Sequence, residues 1–311
     1  MSQPRTPADP TRRRPHFKAL APLPLALLIL MVAGAPAVRA QSASAITALS
    51  NEYAQLCGQD PEDSCFAAWA DELDSAYAAW LANDAIENEG EYSDAIHAQW
   101  ASGLGSVFSQ WVTSTESPAT VYAQWVGEEH EVFFAWASAT SNFDDVAAQW
   151  ASTTSNVFAQ WATYSPTNGV FAQWIDDRAL VYDAWAAGTA YPDSVFSQRI
   201  SSVQSVFAQW VTSVNSDEEV YTLWTADLPD AFASWVEATA YPDDVFAQEV
   251  TQLNSVYAQW LTAPENETEV CALWADAIDT TFETWLAETS NPTAVQSQWD
   301  TAVQHVVAQC V

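Results

Sequence analysis

Residues 205–213, "SVFAQWVTS", decide the fold. Close copies stand at 106–114 ("SVFSQWVTS"), 156–164 ("NVFAQWATY") and 256–264 ("SVYAQWLTA"). Counting outward from Trp210, tryptophan recurs at Trp100, Trp111, Trp125, Trp136, Trp150, Trp161, Trp174 and Trp185. It returns at Trp224, Trp235, Trp260, Trp274, Trp285 and Trp299. The steps alternate 11 and 14 residues, with a single 13 before Trp174, so the unit is 25 residues. Arg199, Glu249 and Cys310 occupy slots where the count demands tryptophan.

Eleven residues are three turns of an α-helix, so both tryptophans of a pair share one face. Taking the first as zero, apolar residues fall at −4, −3, +7, +8 and +11. Position +4 is often apolar too: Leu104, Val203, Leu228, Leu253, Ile278 and Val303. This is a helical stripe. The 14-residue step carries "SPAT" (117–120), "YPD" (191–193 and 241–243), "APENE" (263–267) and "NPT" (291–293). Proline followed by an acid or threonine suits a first helical turn, where no N–H is needed and the helix dipole favours negative charge. Each unit therefore reads as one helix of about 18–20 residues plus a short loop. Val-Phe and Val-Tyr pairs with frequent turns would also suit strands. Abundant Ala and Gln, and a 3.6-residue rather than alternating period, argue for helix.

A period of about 50 lies over the 25. The middles of alternate helices are small and polar ("STTSN", 152–156; "SSVQS", 201–205) or mostly acidic ("GEEHE", 127–131; "ADLPD", 226–230). The expected fold is all-α: tandem antiparallel helices in 25/50-residue repeats, an α-solenoid or helical-repeat array, with a closed array as the alternative arrangement. The repeated phrase supplies each helix with the same aromatic anchor, its Gln facing outward. Gly103, Gly105 and Pro229 are expected to weaken or kink their helices.

Residues 1–40 read as a secretory signal: basic "TRRRPHFK" (11–18), apolar "ALAPLPLALLILMVAG" (19–34), then "APAVRA" (35–40) with small residues before a cleavage site after Ala40. An uncleaved anchor is the alternative. Residues 41–91 follow the repeat loosely, with Leu56 in a tryptophan slot, and are expected to form an N-terminal cap before the repeat domain at 92–311. Beyond residue 40 lie 39 of the 40 acidic residues and only two of the eight basic ones, Arg178 and Arg199, a net charge of −37. Such a chain repels nucleic acid and anionic membranes and attracts cationic partners: a basic protein or polymer, or diffuse divalent cations.

An oxidising compartment makes disulfides the expectation for the four cysteines. Cys57 and Cys65 flank one turn. Cys271 and Cys310 fall level with each other if the last two helices reverse near residues 290–291, so the pairs Cys57–Cys65 and Cys271–Cys310 are expected. Asn266 begins a glycosylation sequon, relevant in a eukaryotic host.

Three local features invite a functional reading. Arg199 and Glu249 stand at equivalent slots in successive units and would form a partly buried ion pair between them, with both side chains snorkelling to solvent as the alternative. Glu128, Asp177, Asp227 and Asp276 stand at nearly equivalent places and would form a cation-facing acidic row, spaced too widely for one calcium ion to bridge. His97 occupies a Phe/Tyr slot and reads as core. No nucleophile, phosphate-loop or metal motif is present, and His97, His130 and His305 are scattered. The chain thus reads as a secreted or surface-exposed scaffold or binding module rather than an enzyme, with no cofactor and no metal site. An interface-active, neutral-lipid-binding protein is the rival reading, because Trp-lined amphipathic helices can also lie on apolar surfaces.

Overall fold

The computed structural model describes residues 42–214, 217–263 and 267–310. The chain divides into two units, 1–39 and 40–311, and every described residue belongs to the second. The signal sequence and Asn266 lie outside the described residues.

The described residues form eleven helices and no strand: α1 (Ala43–Gln59), α2 (Asp63–Glu87), α3 (Ser93–Ser114), α4 (Pro118–Ala139), α5 (Phe143–Tyr164), α6 (Asn168–Gly188), α7 (Pro192–Ser213), α8 (Asp217–Ala238), α9 (Pro242–Trp260), α10 (Glu267–Glu288) and α11 (Pro292–Cys310). Each packs on its neighbours in sequence, as in a helical-repeat array. Most repeat helices have 21 or 22 residues, longer than expected, because the turns consume only three, as at 115–117, 140–142 and 189–191. Helix α8 runs through Pro229 without a break.

The turns are built by threonine as well as proline. In five of them, the threonine after the helix donates its backbone N–H to the carbonyl of the second tryptophan: Thr115 to Trp111, Thr140 to Trp136, Thr189 to Trp185, Thr239 to Trp235 and Thr289 to Trp285. The hydroxyl of that same threonine then accepts the backbone N–H two residues on, from Ser117, Asn142, Tyr191, Tyr241 and Asn291. This side-chain mimic of a backbone turn fixes where the chain reverses. Pro118, Pro192 and Pro242 then open the following helices.

Between helices the aromatic rings stack. Phe207 of α7 lies 5.4 Å from Trp224 of α8, Tyr221 of α8 lies 5.6 Å from Trp260 of α9, and Tyr257 of α9 lies 5.9 Å from Trp274 of α10. His97 takes its expected core place, stacked on Trp100 and Trp136. The indole N–H of the second tryptophan in α4, α6, α8 and α10 donates to an acid in the first turn of the preceding helix: Trp136 to Asp94, Trp185 to Asp144, Trp235 to Asp193 and Trp285 to Asp243. The first-turn acids therefore bond the indole donor as well as complementing the helix dipole. Leu56 departs from the expected pattern: it is exposed, and its neighbour Cys57 is buried instead.

Both disulfides are present. Cys57–Cys65 ties α1 to α2, and Cys271–Cys310 ties α10 to α11. By loop closure alone the longer staple, 39 residues apart, contributes about 4 kcal/mol and the shorter, 8 apart, about 2.5 kcal/mol.

Candidate functional site

The tryptophan slots of the odd-numbered helices face the even-numbered helices beside them, and polar groups there receive them. Trp100 of α3 donates its indole N–H to Asp74 of α2 at 2.6 Å, and Trp299 of α11 to Asp279 of α10 at 2.9 Å. Trp150 of α5 donates to Nδ1 of His130 on α4 at 2.8 Å, and Nε2 of His130 lies 3.6 Å from Asp177 of α6.

The same geometry corrects the expected Arg199–Glu249 pair. Arg199 of α7 donates to Asp183 of α6, and Glu249 of α9 accepts from Thr281 of α10 at 3.2 Å. Both charged residues are buried, as the tryptophans they replace would be. Slot side chains point at the flanking even helix and not along the array to the next odd one, so each finds its own partner. Burial pushes Glu249 up to about 7, against the pull of Thr281.

The four acids expected as a row occupy different settings. Glu128, Asp177 and Asp227 are half-buried, while Asp276 is exposed. Glu128 is pushed up to about 7 by burial and by Asp74 of α2, with which it shares a hydrogen bond. Glu128 of α4 thus meets an acid of α2 that stands outside the expected row. Burial raises Asp227 although Arg199 beside it pulls the other way. Among the described residues no group of three or more metal-ligating side chains is assembled.

The residues that the sequence reading missed are in the +4 column. Leu228 of α8 and Ile278 of α10 fill it with fully buried aliphatic side chains. In three consecutive helices, α4, α5 and α6, the column instead holds Glu129, Thr154 and Arg178. Glu129 is 1 % exposed. Its Oε1 accepts from the indole of Trp125 at 2.8 Å, and its Oε2 is buried with no hydrogen-bond partner among the described residues. Burial pushes its carboxyl up to about 8, against the pull of the Trp125 N–H, so it is protonated at neutral pH. Arg178 reaches Ser155 of α5 and lies 5.9 Å above the Trp174 ring. A run of three polar residues in an otherwise apolar column was the available signal.

Glu129 lies under a cleft. Between α3 and α5, over α4, there is a space of about 600 Å³ walled by Ser102 and Gly105 of α3 and Thr153 and Asn156 of α5, with Trp125 and Glu129 of α4 at its base. The corresponding groove between α7 and α9 is bridged: Gln204 donates its side-chain N–H to Gln252 across it. Gly105 and Thr153 are the repeat equivalents of Gln204 and Gln252. The cleft exists because the two residues that would span it have been shortened.

The chain matches no protein-family model, and no curated protein or solved structure is detectably similar to it.

Proposed function

We propose that this protein is a secreted or surface-exposed, acidic helical-repeat scaffold that binds cationic macromolecules, a basic protein or polymer. The observation that carries the reading is the fate of the positive charge. Arg199 is buried on Asp183, and Arg178 is drawn in toward Ser155 and Trp174, so neither arginine is exposed. The two disulfides require an oxidising environment, and no described helix is long and apolar enough to cross a membrane. The outer surface of the repeats thus carries carboxylates with no exposed lysine or arginine among the described residues. Such a field concentrates cations and steers basic partners.

The neutral-lipid reading has less support. The aromatic faces that would meet an apolar surface are consumed by stacks between helices, from Phe66–Trp111 to Phe282–Trp299. Binding of decalysine to residues 41–311 tests the proposal. Affinity should fall steeply as salt rises from about 20 to 300 mM, as expected when screening shortens the reach of surface charge. No binding at the lowest salt would end the proposal. A gain of helicity on neutral lipid vesicles would favour the rival.

A further inference from the structure

The cleft over α4 differs from the general acidic surface in being a defined space with one ionisable group at its base. Glu129 is the sole titratable residue lining it, and the walls are hydroxyl and amide side chains such as Ser102, Thr153 and Asn156. The buried Oε2 has no hydrogen-bond partner among the described residues. A buried polar atom left unpaired costs free energy, and a ligand group that pairs with it recovers that cost.

We propose that this cleft is a binding site for a small organic ammonium ion, with Glu129 as its counter-ion and the α3 and α5 side chains as its hydrogen-bonding walls. It rests on the reading of the chain as a cation binder and narrows it to one site. The chemistry of the lining selects the ligand class. A single carboxylate cannot supply the six to eight oxygens calcium needs. An anion would find no cationic partner here and would be repelled by the surrounding field. An ammonium N–H donates to Oε2 and to neighbouring hydroxyl and amide oxygens. Because Oε1 is held by the Trp125 indole, the proton of the carboxyl group sits on Oε2. Docking the cation releases that proton to solvent, so one ammonium ion enters for each proton that leaves. The repeat supplies its own control: where Gln204 and Gln252 bridge the α7–α9 groove, the residue beneath is Leu228, which offers no charge.

The test is calorimetric titration of residues 41–311 with benzylammonium, run beside its uncharged isostere benzyl alcohol. Repeating it at neutral pH in two buffers of different ionisation enthalpy counts released protons. The expected result is a single site, close to one proton released, at least tenfold tighter binding at pH 8 than at pH 6, and no comparable binding of the alcohol. Glu129→Gln keeps an acceptor for Trp125 and should weaken binding at least tenfold while abolishing proton release. Gly105→Gln fills the cleft as Gln204 fills its counterpart. An added Cβ there meets Trp125 at an ordinary 3.8 Å, so the helix should fold and the site should close. Benzylammonium binding that is the same in wild type and both variants overturns the proposal, as does equal binding of the alcohol. Absence of benzylammonium binding while decalysine still binds overturns the cleft and leaves the surface reading standing. Failure of both removes the two together.

Discussion

Helices α4 and α8 occupy the same place in the repeat and differ at one decisive core position. In α8 the residue four after the first tryptophan is Leu228, fully buried; in α4 it is Glu129, almost as buried. Over α8 the flanking helices are joined by Gln204 and Gln252, whereas over α4 Gly105 and Thr153 leave a cleft. The aromatic stacks persist in both, Phe108–Trp125 at 5.9 Å and Phe207–Trp224 at 5.4 Å. A redundant repeat thus tolerates a polar interruption, because anchoring is shared among many rings and no single core position carries the fold.

The comparison breaks most forcefully if the acid is moved. Leu228→Glu puts an unpaired carboxyl into a groove with no cleft above it, and should cost about 3 kcal/mol or more at pH 8 and less at pH 5, read by denaturant unfolding. A loss below about 1 kcal/mol would mean that α8 is as accommodating as α4.

Acidity sharpens the contrast next. Glu128, Glu129 and Glu249 hold protons in the folded chain up to about 7, 8 and 7. The unfolded chain releases them near the ordinary carboxylate value of about 4.3. Between those limits the folded state binds more protons, so its stability is greatest at low pH and declines as pH rises through the folded values. Each unit of pH over which one such group is protonated only in the fold is worth about 1.4 kcal/mol. Thermal melts should show Tm falling from pH 5 to pH 8. Glu129→Gln should match wild type at pH 5, exceed it at pH 8, and shallow the decline. An unchanged slope in the variant would place Glu129 outside the titrating set.

The smallest effect belongs to the bridge. Gln252→Ala removes one half-buried hydrogen bond between α7 and α9, and should lower stability by about 1 kcal/mol or less. A much larger loss in the thermal melt would show that the bridge holds the two helices together.

Much of the architecture could be read from residue spacing. The 11-residue step puts Trp100 with Trp111 and Trp274 with Trp285 on common faces, and helical geometry requires it. The Cys271–Cys310 pairing follows from the same arithmetic, and the Phe282–Trp299 stack lies at the same level of the antiparallel pair. The turns were half legible: proline marked them, but the threonine hydroxyls that close them gave a weaker signal among so many small polar residues. Leu56 misled because a slot in the count does not guarantee a neighbour to bury against, and among the described helices α1 packs on α2 alone.

Sequence by itself therefore determined the helices, their period, the staples and the charge, since each follows from local spacing or simple counting. Only the tertiary structure decided the partners. Arg199 chose Asp183 over Glu249, Glu128 met Asp74 of α2, and Gly105 became one wall of a cleft with Glu129 at its base. The physical reason is that a one-dimensional period fixes which face a side chain occupies. Which atom it reaches depends on side-chain length and on what the neighbouring helices leave unfilled.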